Sequence, residues 1–354
     1  MTSGPTDSLK KTSTRFFSNM LVRTVLLPSI LKANPENQHA HYGMVIRLLQ
    51  DLEKNGVVLL DDTHSIRASL LQDIPKWPVK FRKKAEVLLT ALKKKNRFVE
   101  VSLKDEVQAT CKNKPCQQGI RIAKIYLPPA ILASQGCNQC AQANLSSVPS
   151  VEVVDVAEYC ISDFFEFHLK PGDHVLGKGE WKQDKFEQEI LIPLFRDAKN
   201  IKIYDRWIGR SILTSNADKY KLTLEWILEV FLRVYRSGSG GVFEVYSGFY
   251  TQKQAGKPPS NKTDAVTALR QLEIDMQKMH PSVRLIIKKE TQPLQMPHDR
   301  YVITNQIAIS IDRGCDLLLD NRTSPYPRCI RDVRIAYCSE PGKIEQAVQR
   351  LPDL

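Results

Sequence analysis

The residues best equipped for chemistry stand together in His298-Asp299-Arg300-Tyr301-Val302-Ile303-Thr304-Asn305. A histidine is followed two positions on by a permanent cation, and five positions later by a carboxamide. Tyr301, Ile303 and Asn305 alternate with Val302 and Thr304, which predicts a strand. Side chains two apart on a strand share a face, so His298 and Arg300 are expected to point into one space. An imidazole beside a guanidinium suits a phosphate ester. The first can attack phosphorus or move a proton, and the second can hold two anionic oxygens in a fork. An ordinary hairpin carrying a satisfied histidine fits the same spacing.

Cysteines form a second group. Cys111-x4-Cys116 and Cys137-x2-Cys140 offer four thiols in polar, turn-rich sequence. The second spacing is that of zinc sites and the first is looser, so one structural zinc ion stands against scattered reduced thiols. Cys160, Cys315, Cys329 and Cys338 show no ligand spacing and read as small buried residues. A third group is acidic. Asp61, Asp62, Asp155 and Glu158 fall at expected strand ends, where carboxylates bind Mg²⁺ or simply cap and turn the chain. This leaves a metal-dependent nuclease in the N-terminal half as one reading.

The elements that must hold these groups alternate between two periods, which makes the fold class α/β. Residues 1–18 read as a flexible arm. Leu21–Leu31 reads as a strand and turn, His41–Lys54 as a helix stopped by Asn55-Gly56, and Val57–Leu60 as a short buried strand. Phe81–Lys95 reads as a helix, with strands expected at Arg97–Leu103 and Ile120–Leu127. Ala141–Ser150 is expected to be a loop or linker, dividing an α/β region of unknown type (19–145, with the cysteine loops) from a second domain (151–354). In the second domain a strand is expected at Val151–Val156. Helices follow at Asp184–Ala198, Tyr220–Tyr235 and Thr263–His280, with strands at Ile201–Tyr204, Val242–Gly248 and Val283–Lys288. His298–Thr304 and Ile307–Ile311, two residues apart, read as a hairpin. A strand at Ile335–Cys338 and a helix at Lys343–Leu351 close the chain.

The bulk numbers bound the partners. A chain of 354 residues allows two or three domains, and a formal net charge of +12 favours an anionic partner such as nucleic acid or a lipid headgroup surface. Lys76, Lys80, Arg82, Lys83, Lys84, Lys93, Lys94 and Lys95 crowd one stretch. A solvated helix face explains them as well as a ligand does, and few aromatics interleave to stack bases. No run reaches the roughly 18 apolar residues of a membrane span, and no secretory signal is visible, so the expected location is the cytoplasm.

The order of elements in the second domain, with a histidine opening the hairpin after the third strand, resembles the phospholipase D-like fold. That superfamily's signature is His-x-Lys-x4-Asp, and His298, Arg300 and Asn305 stand at its three positions. Met296-Pro297-His298-Asp299-Arg300-Tyr301, with Ile311-Asp312-Arg313-Gly314-Cys315-Asp316, resembles more narrowly the C-terminal phospholipase D-like domain of microtubule-interacting-and-transport proteins. It also resembles that domain's bacterial relatives near defence genes. Ile203-Tyr204-Asp205-Arg206-Trp207-Ile208-Gly209-Arg210 resembles their first-strand motif. The likeness covers roughly residues 180–350. It implies a nucleic-acid-directed phosphodiesterase, active or degenerate, that needs no cofactor. His298 would be nucleophile or phosphate ligand, Arg300 the clamp, Asn305 the third motif position, Asp205 the group that orients His298, and Arg206, Arg210 and Arg313 further phosphate contacts. Two such histidines must face each other, which implies a homodimer. His168-Leu169-Lys170 with Asp173 is a poor internal second copy, because Lys170–Asp173 reads as a turn. The eukaryotic domains with the His-Asp-Arg variant are non-catalytic, so a dimerisation and interaction module is the alternative.

Overall fold

The computed structural model describes residues 20–33, 35–103, 107–169, 174–176, 183–214, 217–234, 241–249, 262–290, 295–312 and 333–354. The expected arm at 1–18 lies outside them, as do Arg313, Cys315, Cys329, Lys170 and Asp173.

The first half runs β1 (Val22–Leu26), α1 (Gln38–Asn55), β2 (Gly56–Asp61), α2 (Ser65–Asp73), α3 (Val79–Lys94), β3 (Phe98–Val101), α4 (Lys114–Tyr126), β4 (Ala130–Ala133), α5 (Gln135–Leu145) and β5 (Glu152–Asp155). The strands form one parallel sheet in the order β3-β2-β1-β4-β5. Every residue of β1, β2 and β4 is buried, as expected of inner strands covered by helices on both faces. Helix α1 buries Val45, Leu48, Leu49 and Leu52 at helical spacing.

Three sequence expectations change here. Ile120–Leu127 is not a strand but the body of α4. Asn113 caps it by accepting from the Cys116 N–H at 3.3 Å, Pro115 occupies its first turn, and Cys116, Ile120 and Ala123 recur on its buried side. The supposed loop at 141–150 begins inside α5. Strand β5 then pairs with β4, so the boundary placed between 145 and 151 falls within the first sheet.

The second half runs β6 (His174–Leu176), α6 (Gln183–Phe186), a wider π turn over Glu187–Leu191, α7 (Ile192–Phe195), β7 (Asn200–Tyr204), α8 (Trp207–Ser211), α9 (Ala217–Val234), β8 (Val242–Phe249), α10 (Lys262–Met279), β9 (Val283–Lys289), β10 (Arg300–Thr304), β11 (Ala308–Ile311), β12 (Val333–Tyr337) and α11 (Pro341–Gln349). These strands make a seven-stranded mixed sheet in the order β6-β12-β11-β10-β7-β8-β9. β7, β8 and β9 are parallel, and β10 runs back against β7 with Tyr301 opposite Tyr204. The protein is α/β throughout, and no helix among the described residues is long and apolar enough to cross a membrane.

One buried apolar cluster extends from Val25 in the first sheet to Ile309 and Ile335 in the second. Polar clasps join the same halves. Arg97 is fully buried and donates to the carbonyls of Gln306 at 2.9 Å, Gly56 at 2.9 Å and Lys54 at 3.0 Å. Burial brings its pKa down to about 10, so it stays charged at neutral pH. Gln306 answers with a bond from Nε2 to the Asn96 carbonyl at 2.6 Å, and Arg23 clasps Asp197 with Nε donating to Oδ2 at 2.8 Å.

Candidate phosphate-binding site

Strand direction decides which residues meet. β7, β8 and β9 deliver Asp205, Ser247, Gly248 and Glu290 to the carboxyl edge of the second sheet, where parallel strands place their sites. β10 is antiparallel to β7, so its first residue, Arg300, arrives at the same edge. Helix α8 opens immediately after β7 and adds Arg206, Trp207 and Arg210.

Two carboxylates hold this edge. Asp205 is 1 % exposed and accepts the Trp207 N–H at 2.9 Å, and its carbonyl accepts the Ser247 hydroxyl at 2.6 Å. Ser247 Oγ in turn accepts the Gly209 N–H at 2.8 Å. Glu290 is also buried, accepts the Met296 N–H at 3.0 Å, and takes Nε and Nη2 of Arg210 at 3.0 and 2.6 Å. A Cβ at Gly248 would stand 2.5 Å from Glu290 Oε2, so any larger residue there would displace that carboxylate. Sequence reasoning missed Glu290. The only available signal was a carboxylate at the end of a parallel strand, which most often caps or turns the chain.

Three guanidinium groups gather around those two carboxylates. Arg210 is engaged by Glu290. Arg300 donates from Nη1 to the Asp312 carbonyl, while its Nε faces Asp205 Oδ1 at 3.9 Å, beyond hydrogen-bonding range. Arg206 is 3 % exposed and lies over the Trp207 ring at 5.1 Å. Among the described residues, Arg206 Nε, Arg206 Nη1 and Arg300 Nε are buried donors with no acceptor. Burial, reinforced by the charges of Arg210 and Arg300, lowers the Arg206 pKa against the pull of Glu290 and Asp205. Among the described residues, three cations face two anions here, and three donors lack a hydrogen-bond acceptor, which suits an anionic oxygen group.

The other expected site residues are distributed differently. His298 precedes β10 instead of lying on it, and its side chain is 74 % exposed. Among the described residues its one close partner is Asp299, at 3.5 Å from Nδ1 to Oδ1, and Asp299 also receives the Tyr301 hydroxyl at 3.4 Å. Arg300 turns inward to Asp205 and Asp312, so His298 and Arg300 do not share one pocket, and it is Arg300 rather than His298 that faces Asp205. Asn305 sits at the far end of β10 in the hairpin turn. Its Oδ1 accepts the N–H groups of Lys199 at 2.6 Å and Asn200 at 3.3 Å, so it shapes a turn and takes no part in the site. His168 ends a helical turn over Phe164–Leu169, which rules it out as the start of a second hairpin motif.

The acidic group of the first half is dispersed. Asp61 and Asp155 end β2 and β5, with β1 and β4 between them. Asp61 is spent as a cap for α2. It accepts the Ser65 N–H and hydroxyl, each at 2.8 Å, the Ile66 N–H at 2.9 Å, and the Thr63 hydroxyl. Asp155 accepts the Ala157 N–H at 2.9 Å, Asp62 accepts the Leu103 N–H at 3.3 Å, and Glu158 is exposed. The basic run lies along α3, where Lys80, Lys83, Lys84, Lys93 and Lys94 form a solvated face.

Comparison of the chain with family models, curated proteins and solved structures gives no match in any of the three.

Proposed function

We propose that the carboxyl edge of the second sheet is a phosphate-recognition site directed at nucleic acid, a degenerate relative of phospholipase D-like phosphodiesterases that binds a phosphodiester without cleaving it. The observation that carries this reading is Arg206, a buried guanidinium with two donors unfilled among the described residues, facing two further arginines. A phosphodiester carries one negative charge and two non-bridging oxygens. It would fill the Arg206 and Arg300 donors in fork geometry while Arg210 stays braced on Glu290. The net charge of +12 supports nucleic acid over a small acidic metabolite, since a basic surface adds a salt-dependent attraction to the whole polymer.

Cleavage is disfavoured by the position of His298. A phosphohistidine mechanism requires the imidazole beside the bound phosphorus and an orienting partner on its second nitrogen. The partner available is Asp299, at a long 3.5 Å on the exposed side.

The test uses labelled single- and double-stranded DNA and RNA oligonucleotides in EDTA, with the wild type, Arg206→Met, Arg300→Met and His298→Ala. Binding should fall at least tenfold in both arginine variants, persist in His298→Ala, and leave the oligonucleotides intact. Equal binding by Arg206→Met and the wild type would overturn the site. Cleavage abolished by His298→Ala would overturn its non-catalytic character.

A further inference from the structure

Four cysteines far apart in sequence meet in the first sheet, in a cluster separate from the arginine site. In a parallel α/β sheet, the helix leading into a strand starts at the carboxyl edge, and the helix following that strand starts there too. α4 leads into β4 and α5 follows it, so both open at one edge beside the end of β1. This is also where the strand order turns, with β2 on one side of β1 and β4 on the other, the crevice in which such sheets receive ligands. Cys116 lies in the first turn of α4 and Cys111 just before it. Cys137 lies in the first turn of α5, with Cys140 one turn on.

The thiols fall into two neighbouring pairs. Cys137 Sγ donates to Cys116 Sγ at 3.3 Å, and Cys140 Sγ donates to the carbonyl of Thr110, the residue before Cys111, at 3.1 Å. Cys116 also feels Cys111, and Cys140 feels Cys137. Asn144 Nδ2 donates to Cys140 Sγ at 3.7 Å. Cys116 is fully buried, and the other three are part-buried. Four thiols at two helix starts, with an amide N–H toward one sulfur, supply the donor set of a soft cation.

We propose that Cys111, Cys116, Cys137 and Cys140 form one tetrahedral site for a thiophilic divalent cation, zinc by its chemistry, which ties the start of α4 to the start of α5. Binding forms four Zn–S bonds as the four S–H protons leave to solvent. With Zn–S bonds near 2.3 Å, the sulfurs of a tetrahedral site lie roughly 3.8 Å apart. The Cys116–Cys137 pair, at 3.3 Å, must therefore open by about half an ångström. Among the described residues no group of three or more His, Cys, Asp or Glu side chains is already set to hold a metal ion. Closure therefore falls to side-chain rotation of the part-buried Cys111 and Cys140.

The test is metal analysis of the full chain purified under reducing conditions with zinc in the medium. It is followed by cobalt(II) substitution and by the same measurements on Cys137→Ser, Cys140→Ser and the exposed control Cys160→Ser. One zinc per chain is expected, with a thiolate-to-cobalt charge-transfer band on substitution and a lower Tm after chelation. The band should be lost in Cys137→Ser and Cys140→Ser and kept in Cys160→Ser. Because the wild-type titration needs no variant to fold, its result stands alone. Absence of both bound zinc and the cobalt band overturns the site. So do metal retained in both site variants, a Cys116–Cys137 disulfide in the reduced preparation, or iron with acid-labile sulfide in place of zinc.

Discussion

Replacing Arg206 by methionine should stabilise the protein when no anion is present. Arg206 is 3 % exposed, and two of its donors have no acceptor among the described residues. A buried donor left unpaired costs about 1–3 kcal/mol, so two at the low end cost about 2 kcal/mol. Arg210 and Arg300 repel it, whereas Asp205 and Glu290 attract it. The guanidinium over Trp207 returns about 1 kcal/mol that methionine would recover only in part. The balance favours Arg206→Met by about 1 kcal/mol, or roughly 2–4 °C in Tm for a domain of 150–250 residues. The assay is thermal and urea unfolding at low ionic strength in a buffer free of phosphate and sulfate. It is then repeated with a short oligonucleotide at about 100 times its Kd, where the wild type should gain about 2.7 kcal/mol. With binding at least tenfold weaker, the variant should gain no more than about 1.4 kcal/mol, so the two exchange rank. A variant that loses more than about 1 kcal/mol without anion, or responds to the oligonucleotide as the wild type does, would refute the reasoning, because Arg206 would then already be satisfied.

Other perturbations separate structural from functional roles. Arg97→Met should destabilise by at least about 3 kcal/mol in urea titrations, since it strips three carbonyl acceptors of their donor at the junction of the two sheets. His298→Ala should change stability by less than about 0.5 kcal/mol, as expected for a side chain 74 % exposed. Burial alone would raise the Asp61 pKa, but the bonds from Thr63, Ile66 and Ser65 outweigh it and leave the pKa lowered. Its contribution is therefore fully present above the unfolded value near 3.9 and lost as pH falls through the depressed folded one. Asp61→Asn should be less stable than the wild type at pH 7, and the gap should narrow below about pH 4 in a pH series of urea midpoints.

Apart from the short helix α8, the order of helices and strands from Asp184 onward was legible because long periodic runs such as Tyr220–Tyr235 and Thr263–His280 admit one interpretation. α4 was misread because Ile120-Arg121-Ile122 also satisfies a period of two. Only Asn113 and Pro115, a cap and a first-turn proline, separate the alternatives. The site was half legible. Arg206, Arg210 and Arg300 could be named from sequence, but the partner of Arg300 could not. The register Tyr301 to Tyr204 brings it to Asp205, whereas spacing alone pointed it at His298. Asn305 shared a motif spacing with His298 and Arg300, yet a strand of five residues carries it to the opposite edge of the sheet. The four cysteines could be paired by spacing within each helix start. That the two helix starts meet depends on strand order, which local sequence does not encode.

The most direct test of the arginine site is calorimetric titration of a phosphodiester-linked dinucleotide into the wild type, Arg206→Met, Arg300→Met and the double variant. If both guanidinium groups grip one phosphate, each single change should weaken binding at least tenfold, about 1.4 kcal/mol, and the double variant should lose less than the sum of the two. Undiminished affinity in Arg206→Met, or losses that add fully, would contradict a shared anion at the end of β7.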